Sequence, residues 1–187
     1  MRLLPAFAAA AAVAVLAPGA AAASSAPVRF ATAHGTFTAG APGAPAVTYR
    51  PDLVPAGARA HVVSLSAAAT GTSTTLVVSG LRPGRAYGAH AHARPCGTTG
   101  DAAGPHFQHA PDPVQPSVDP AYANPRNEIW LDFTTDRLGT GFGRSTVDWT
   151  FGARRAKSVV LHETPTHTDP GHAGTAGARL ACLDVGF

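Results

Sequence analysis

Apolar and polar positions alternate over short stretches of this 187-residue chain, with the period of two that puts successive side chains on opposite faces of a β-strand. Ile129, Leu131 and Phe133 fall on one face of such a stretch, and Glu128, Trp130 and Asp132 on the other. Thr146, Asp148 and Thr150 oppose Val147, Trp149 and Phe151 in the same way. Runs rich in Val, Thr and aromatics, bounded by Gly, Pro and Asp, predict strands over 29–38, 58–67, 73–79, 87–93, 127–133, 145–151, 157–162 and 179–185. No stretch of helical period and useful length lies among them. About eight short strands imply an all-β antiparallel sandwich or barrel. Two intervals are too long and too broken for strands: 107–125, with prolines at 111, 113, 116, 120 and 125, and 163–178, rich in Gly, Thr and His. Long ordered loops in a compact β domain are more often functional than idle.

The first apolar run is of another kind. Met1-Arg2 precedes an Ala- and Val-rich stretch over 3–16, then Pro18-Gly19 and the small residues Ala21-Ala22-Ala23. This is the layout of a secretory signal peptide, and the run is shorter than the roughly 20 residues that span a bilayer. We therefore expect residues 1–23 to be removed and 24–187 to form one β domain, secreted to the exterior or held in the cell envelope. No membrane contact is expected after cleavage. Thirteen of the 14 basic residues are Arg, and loss of Arg2 lowers the formal charge from +3 to +2. No basic run interleaves with aromatics, so a nucleic-acid partner is not expected. Cys96 and Cys182 are the two cysteines. In an exported protein a lone pair reads as a disulfide, with a thiolate metal site as the rival reading.

Histidine is where the chemistry concentrates. Four segments stand out: Gly88-Ala89-His90-Ala91-His92, Gly104-Pro105-His106-Phe107, Val160-Leu161-His162-Glu163 and Gly177-Ala178-Arg179-Leu180-Ala181-Cys182. Imidazole is a borderline-soft ligand for copper, zinc, iron or nickel. His90 and His92 sit two apart in a predicted strand, so both leave one face with Cα atoms about 6.5–7 Å apart. That spacing suits one shared ion, and it equally suits an ordinary polar strand face. His106 follows a Gly-Pro turn that could present its ring back towards the pair, and His162 ends a strand, which exposes it at a rim. The two long loops begin directly after His106 and His162. His34 and His61 lie on early strands without partners and read as surface residues.

The His90/His92 segment, Ala103-Gly104-Pro105-His106-Phe107 and Gly174-Thr175-Ala176-Gly177-Ala178-Arg179-Leu180-Ala181-Cys182 resemble, in order and rough spacing, the copper/zinc superoxide dismutase family. The resemblance covers about 80–187 and fades in the N-terminal strands. It implies a Greek-key β-barrel. It also implies copper held by His90, His92, His106 and His162, a Cys96–Cys182 disulfide, and Arg179 beside the metal guiding superoxide. His106 would release the metal and carry a proton during turnover. A guanidinium is a permanent charge for steering a small anion, while a structural ion pair is the other reading of Arg179.

The zinc region departs from that pattern. After His106 the chain offers His109, Asp112, Asp119, Glu128 and Asp132, with no further histidine before Phe133. Four N, O or S ligands, as zinc wants, do not assemble from these. A copper-only member is the expectation. Glu128 or Asp132 would then orient His106 through its free ring nitrogen, with a solvated strand face favoured for Asp132. Where the family places an aspartate after its last copper ligand, this chain has Thr166 and His167, with Asp169 beyond. His167, Asp169 and His172 could bind a metal, although a Gly/Pro-rich surface loop is the plainer reading. The function expected is a secreted, copper-dependent superoxide dismutase acting on superoxide as a small anion, as monomer or homodimer. A copper-binding domain without turnover is the alternative.

Overall fold

The computed structural model describes residues 28–40 and 43–187. The expected signal segment, 1–23, lies outside the described residues. Ten strands form: β1 Arg29–Thr36, β2 Thr38–Ala39, β3 Ala46–Thr48, β4 Arg59–Ala67, β5 Gly71–Ser79, β6 Ala86–His92, β7 Phe133–Thr134, β8 Gly141–Val147, β9 Ser158–His162 and β10 Arg179–Asp184. A single short 3-10 helix, Gly100–Ala103, is the only helical element among the described residues. Two sheets result, ordered β1-β4-β5-β8 and β2-β3-β10-β9-β6-β7. Every pairing is antiparallel except the short β2–β3 contact. After the β4–β5 hairpin the chain crosses to the other sheet for β6 and β7, then returns as β8 beside β5, a crossing of Greek-key type.

The two sheets pack face to face as a sandwich, and the expected barrel does not close. At the seams, backbones pack without forming a ladder. A Cβ on Gly35 of β1 would lie 2.5 Å from the Ala46 Cβ of β3, and one on Gly141 or Gly143 of β8 would strike the Phe133 ring or the Leu131 carbonyl. Glycine lets the edges touch where β7, only two residues long, offers too little backbone to zip them together.

The alternation seen in the sequence decides what fills the interior. Val62, Leu76, Val78, Tyr87, Ala89, Ile129, Leu131, Val159, Leu161 and Leu183 meet in one core. Interiors of this kind are close-packed, so each inward position is constrained in volume. The expected strand 127–133 is mostly irregular: only Phe133 and Thr134 form β7. Its apolar face is nevertheless buried as predicted, through Ile129, Leu131 and Phe133. Two backbone bonds hold it to β6, Leu131 N–H to the Ala89 carbonyl at 2.7 Å and Ala91 N–H to the Ile129 carbonyl at 3.2 Å.

Strand β6 lies between β9 and β7 in its sheet, and all but its first residue are buried. Tyr87, Ala89 and Ala91 face the core between the sheets. The opposite face, Gly88, His90 and His92, would be solvent in a bare sandwich, but chain after β6 and loop 163–178 cover it. A Cβ on Gly88 would lie 2.6 Å from the Thr164 carbonyl and 2.8 Å from the Ala176 Cβ, so glycine here lets loop 163–178 lie directly on the strand. The covered outer face is where the histidines meet.

Candidate metal centre

Strand register brings the ligating side chains together. His90 and His92 alternate with core alanines on β6, opposite Val160 and Ser158 of β9. His162 pairs with Gly88 on one side and with Arg179 of β10 on the other. His106 reaches the group because its backbone bridges to His92. The four imidazoles each offer a ring nitrogen, and these atoms lie within 4.8 Å of one another. The His90 and His92 side chains are fully buried, that of His162 is 4% exposed, and His106 is partly open. Burial leaves two unpartnered nitrogens, Nδ1 of His90 and Nδ1 of His162, although the Gly177 backbone lies near enough to favour a proton on His162. An unsatisfied buried polar atom is costly.

The hydrogen bonds around the group fix most of the tautomers. His92 Nδ1–H donates to the Gly104 carbonyl at 2.9 Å, leaving Nε2 bare. His106 Nδ1–H donates to Glu128 Oε2 at 2.7 Å, again leaving Nε2 bare. The Thr166 hydroxyl gives its proton to Asp132 Oδ1 at 2.8 Å, so at 2.6 Å from His90 Nε2 it accepts. His90 is thereby protonated at Nε2 and bare at its orphaned Nδ1. Three rings thus hold their N–H outward on an acceptor and keep a lone pair free, the arrangement that orients imidazole ligands in metal sites. His92 Nε2 faces His162 Nε2 at 3.2 Å.

Charge tells the same story. Burial, then the neighbouring His106, holds His90 and His92 well below the ordinary imidazole range. The same causes in the same order push His162 down to about 3. Neutral imidazole is the form that binds a metal, so the protein holds these rings in their ligand state at neutral pH. Donor type, bare lone pairs, orphaned nitrogens and convergence all fit a transition-metal ion, with His90, His92, His106 and His162 as its holders.

Glu128 is only 1% exposed. Its carboxylate accepts from His106, from Trp130 Nε1–H at 2.7 Å and from Gln108 Nε2–H at 2.8 Å. Sequence reasoning gave Asp132 a solvated face, and the structure corrects this. Asp132 accepts from the backbone N–H of Ala89 at 3.1 Å, and from Thr166 through both its N–H at 2.7 Å and its hydroxyl. The reason is that the polar face of 127–133 looks towards the covered side of β6, where Asp132 finds donors although its side chain stays 32% exposed. Thr166, Gln108 and Gly88 were not singled out as site residues. The polar face shared by Glu128, Trp130 and Asp132 was the available signal, since three polar residues beside a histidine strand have partners to find.

Arg179 reaches the site from the start of β10. Its Nη1–H donates to the Gly100 carbonyl at 2.9 Å, and a Cβ on Gly100 would lie 2.6 Å from the Arg179 Cβ. With His106, His162, Pro105 and Gly174 it lines a cleft of about 350 Å³ over the imidazole group. Burial lowers its pKa, from so high a starting value that it stays charged. Cys96 and Cys182 are joined, with Cα atoms 5.7 Å apart, which ties the segment after β6 to β10. The other sequence candidates lie apart: the His109 ring stacks on Trp149 at 4.8 Å, Asp112 accepts from Ser117 at 2.7 Å, and Asp119 accepts from the Ala121 N–H at 2.8 Å.

No family model and no curated protein matches this sequence. Among solved structures, a double mutant of a SOD-like protein from Bacillus subtilis matches with a TM-score of 0.51 at 17% identity. The match covers 66% of this chain and 86% of that one. The chain therefore has the two-sheet fold of a SOD-like protein, and on that fold it carries a four-imidazole group able to hold a metal ion.

Proposed function

We propose that this protein is an exported superoxide dismutase working with a single copper ion. The observation that carries the reading is the convergence of four imidazoles, three of them with their N–H turned outward, under a cleft that Arg179 lines. Copper bound there supplies a one-electron couple that oxidises one superoxide to dioxygen and reduces the next to hydrogen peroxide. Everything else falls to the chain. Arg179 offers a fixed positive charge in the cleft, drawing in and orienting a small anion. His106 keeps its Nδ1 proton on Glu128, so Nε2 is the atom that would hold the metal and, when off it, would take up and return one of the two protons that each hydrogen peroxide requires.

Absence of zinc belongs to the same reading. The second nitrogen of His106 is already committed to Glu128, and His109 is turned onto Trp149. Export is supported by the disulfide and by the signal layout of 1–23. Among the described residues no helix is long and apolar enough to cross a membrane. The test is a dismutase assay on copper-loaded protein, with copper and zinc measured on the same sample. Turnover with copper and without zinc supports the reading. Copper without turnover transfers the protein to the copper-binding class, and one zinc per copper overturns the copper-only part.

A further inference from the structure

Loop 163–178 carries two more imidazoles beside a carboxylate, separate from the four imidazoles. His172 Nδ1 lies 2.9 Å from Asp169 Oδ2, and His167 Nδ1 lies 3.7 Å from Oδ1 of the same carboxylate. The two rings have centroids 6.4 Å apart. All three side chains are open to solvent, at 54% for His167, 59% for Asp169 and 70% for His172. Their backbone is cross-tied: His167 N–H to the Thr175 carbonyl at 2.9 Å, Gly174 N–H to the His167 carbonyl at 2.9 Å, and His172 N–H to the Asp169 carbonyl at 3.1 Å. Thr175 adds its N–H and its hydroxyl to the His172 carbonyl, at 2.9 and 2.7 Å. The loop from 163 to 178 contains no Lys or Arg, in a chain with 14 of them.

We infer that His167, Asp169 and His172 form a second, solvent-open site for a borderline divalent ion, Cu(II) or Zn(II), which captures metal for the buried imidazole group. The capture role rests on the copper reading above; the binding itself does not. Two imidazole nitrogens and a carboxylate oxygen make a three-ligand set of the kind that leaves a position for water. With metal–ligand bonds of roughly 2.0–2.1 Å, tetrahedral donors sit about 3.3 Å from one another. The two nitrogen-to-carboxylate separations, to different oxygens of Asp169, fall on either side of that value, and the two exposed rings, with centroids 6.4 Å apart, must both turn inward to complete the set. Such a site exchanges its ion readily, and Cu(II) binds it more tightly than Zn(II).

The position of the triad gives it a task. Gly174 and Thr175, which hold the backbone of His167 and His172, also line the cleft above His106 and His162. The backbone of the triad is therefore bonded directly to residues that line the cleft over the four imidazoles. Transfer runs from three ligands to four by ligand exchange, without change of oxidation state. The plain alternative is that Asp169 and His172 are a surface hydrogen bond that staples the loop.

Equilibrium dialysis of metal-free protein against Cu(II), repeated with Zn(II), separates the two. Wild type should take up a weak, chelator-labile ion besides the tight one. H167Q/H172Q should lose the weak ion alone, and His92→Ala should lose the tight ion and keep the weak one. At limiting Cu(II), the double variant should fill its tight site more slowly than wild type. A weak ion that persists unchanged in H167Q/H172Q, or its absence from wild type, overturns the site. Equal filling rates overturn the capture role. A wild-type protein that keeps the weak ion and has no tight one refutes the copper reading and leaves the triad standing. All three side chains are exposed and outside the core, so the folded state survives the test.

Discussion

Acidifying the metal-free protein from pH 7 to pH 5 should destabilise it. In the unfolded chain each imidazole takes a proton as pH falls through 6.5, whereas folded His162 resists down to about 3. His90 and His92, also held well below 6.5, resist likewise. Below 6.5 the unfolded state therefore binds more protons, and folding stability is lost as pH falls. Between pH 7 and pH 5 this loss is about 2 kcal/mol for each imidazole that stays neutral when folded. Three such rings set a ceiling of about 6 kcal/mol, comparable to the roughly 5–15 kcal/mol that holds an ordinary domain together. Urea denaturation followed by tryptophan fluorescence at both pH values measures the loss, with the metal-free state secured by chelation. His162→Gln removes one titrating ring and should reduce the loss between the two pH values by about 2 kcal/mol. An unchanged midpoint between pH 7 and pH 5, or a His162→Gln protein with the wild-type pH dependence, would refute the claim that these rings are held neutral.

Three further outcomes follow from named contacts. Glu128→Gln sets an amide NH2 where a carboxylate oxygen received a donor. It should cost about 1–3 kcal/mol of stability and weaken metal binding about 10- to 100-fold, as read by urea midpoints and competitive chelation. Gly88→Ala drives a methyl into the Thr164 carbonyl and Ala176. Overpacking of this kind costs about 1–3 kcal/mol, and faster hydrogen exchange across 163–178 should locate the damage. Cys182→Ser opens a link spanning 86 residues. The chain-entropy value for such a loop is about 4–5 kcal/mol, visible as a lower urea midpoint in metal-free protein.

Much of the fold was legible because the period-two pattern marks faces directly. Val147, Trp149 and Phe151 are all buried, although Trp149 and Phe151 lie beyond the end of β8. What pattern could not give was β3, whose three residues Ala46, Val47 and Thr48 are too few to show alternation. Nor could it show that 127–133 pairs irregularly while keeping its faces. At the site, the histidines were legible as residue types in a recognisable order. Asp132 and Thr166 were not, because their role comes from two loops folding over β6, a long-range event with no local signature. Glu128 was named for His106, yet its further donors, Trp130 and Gln108, emerge only once the carboxylate is enclosed.

The glycine seams between the two sheets bear on how the molecule can move. Where edges touch through van der Waals contact and not through a ladder, one sheet can open without pulling hydrogen bonds from the other. His90 and His92 on β6, His162 on β9 and Arg179 on β10 all belong to the six-stranded sheet, and His106 is bridged to it. Excursions of the four-stranded sheet, at its β1 and β8 margins, would expose core without parting the imidazoles. The imidazoles and Arg179 thus hang on one sheet, and their spacing is set by its β6–β9–β10 ladders.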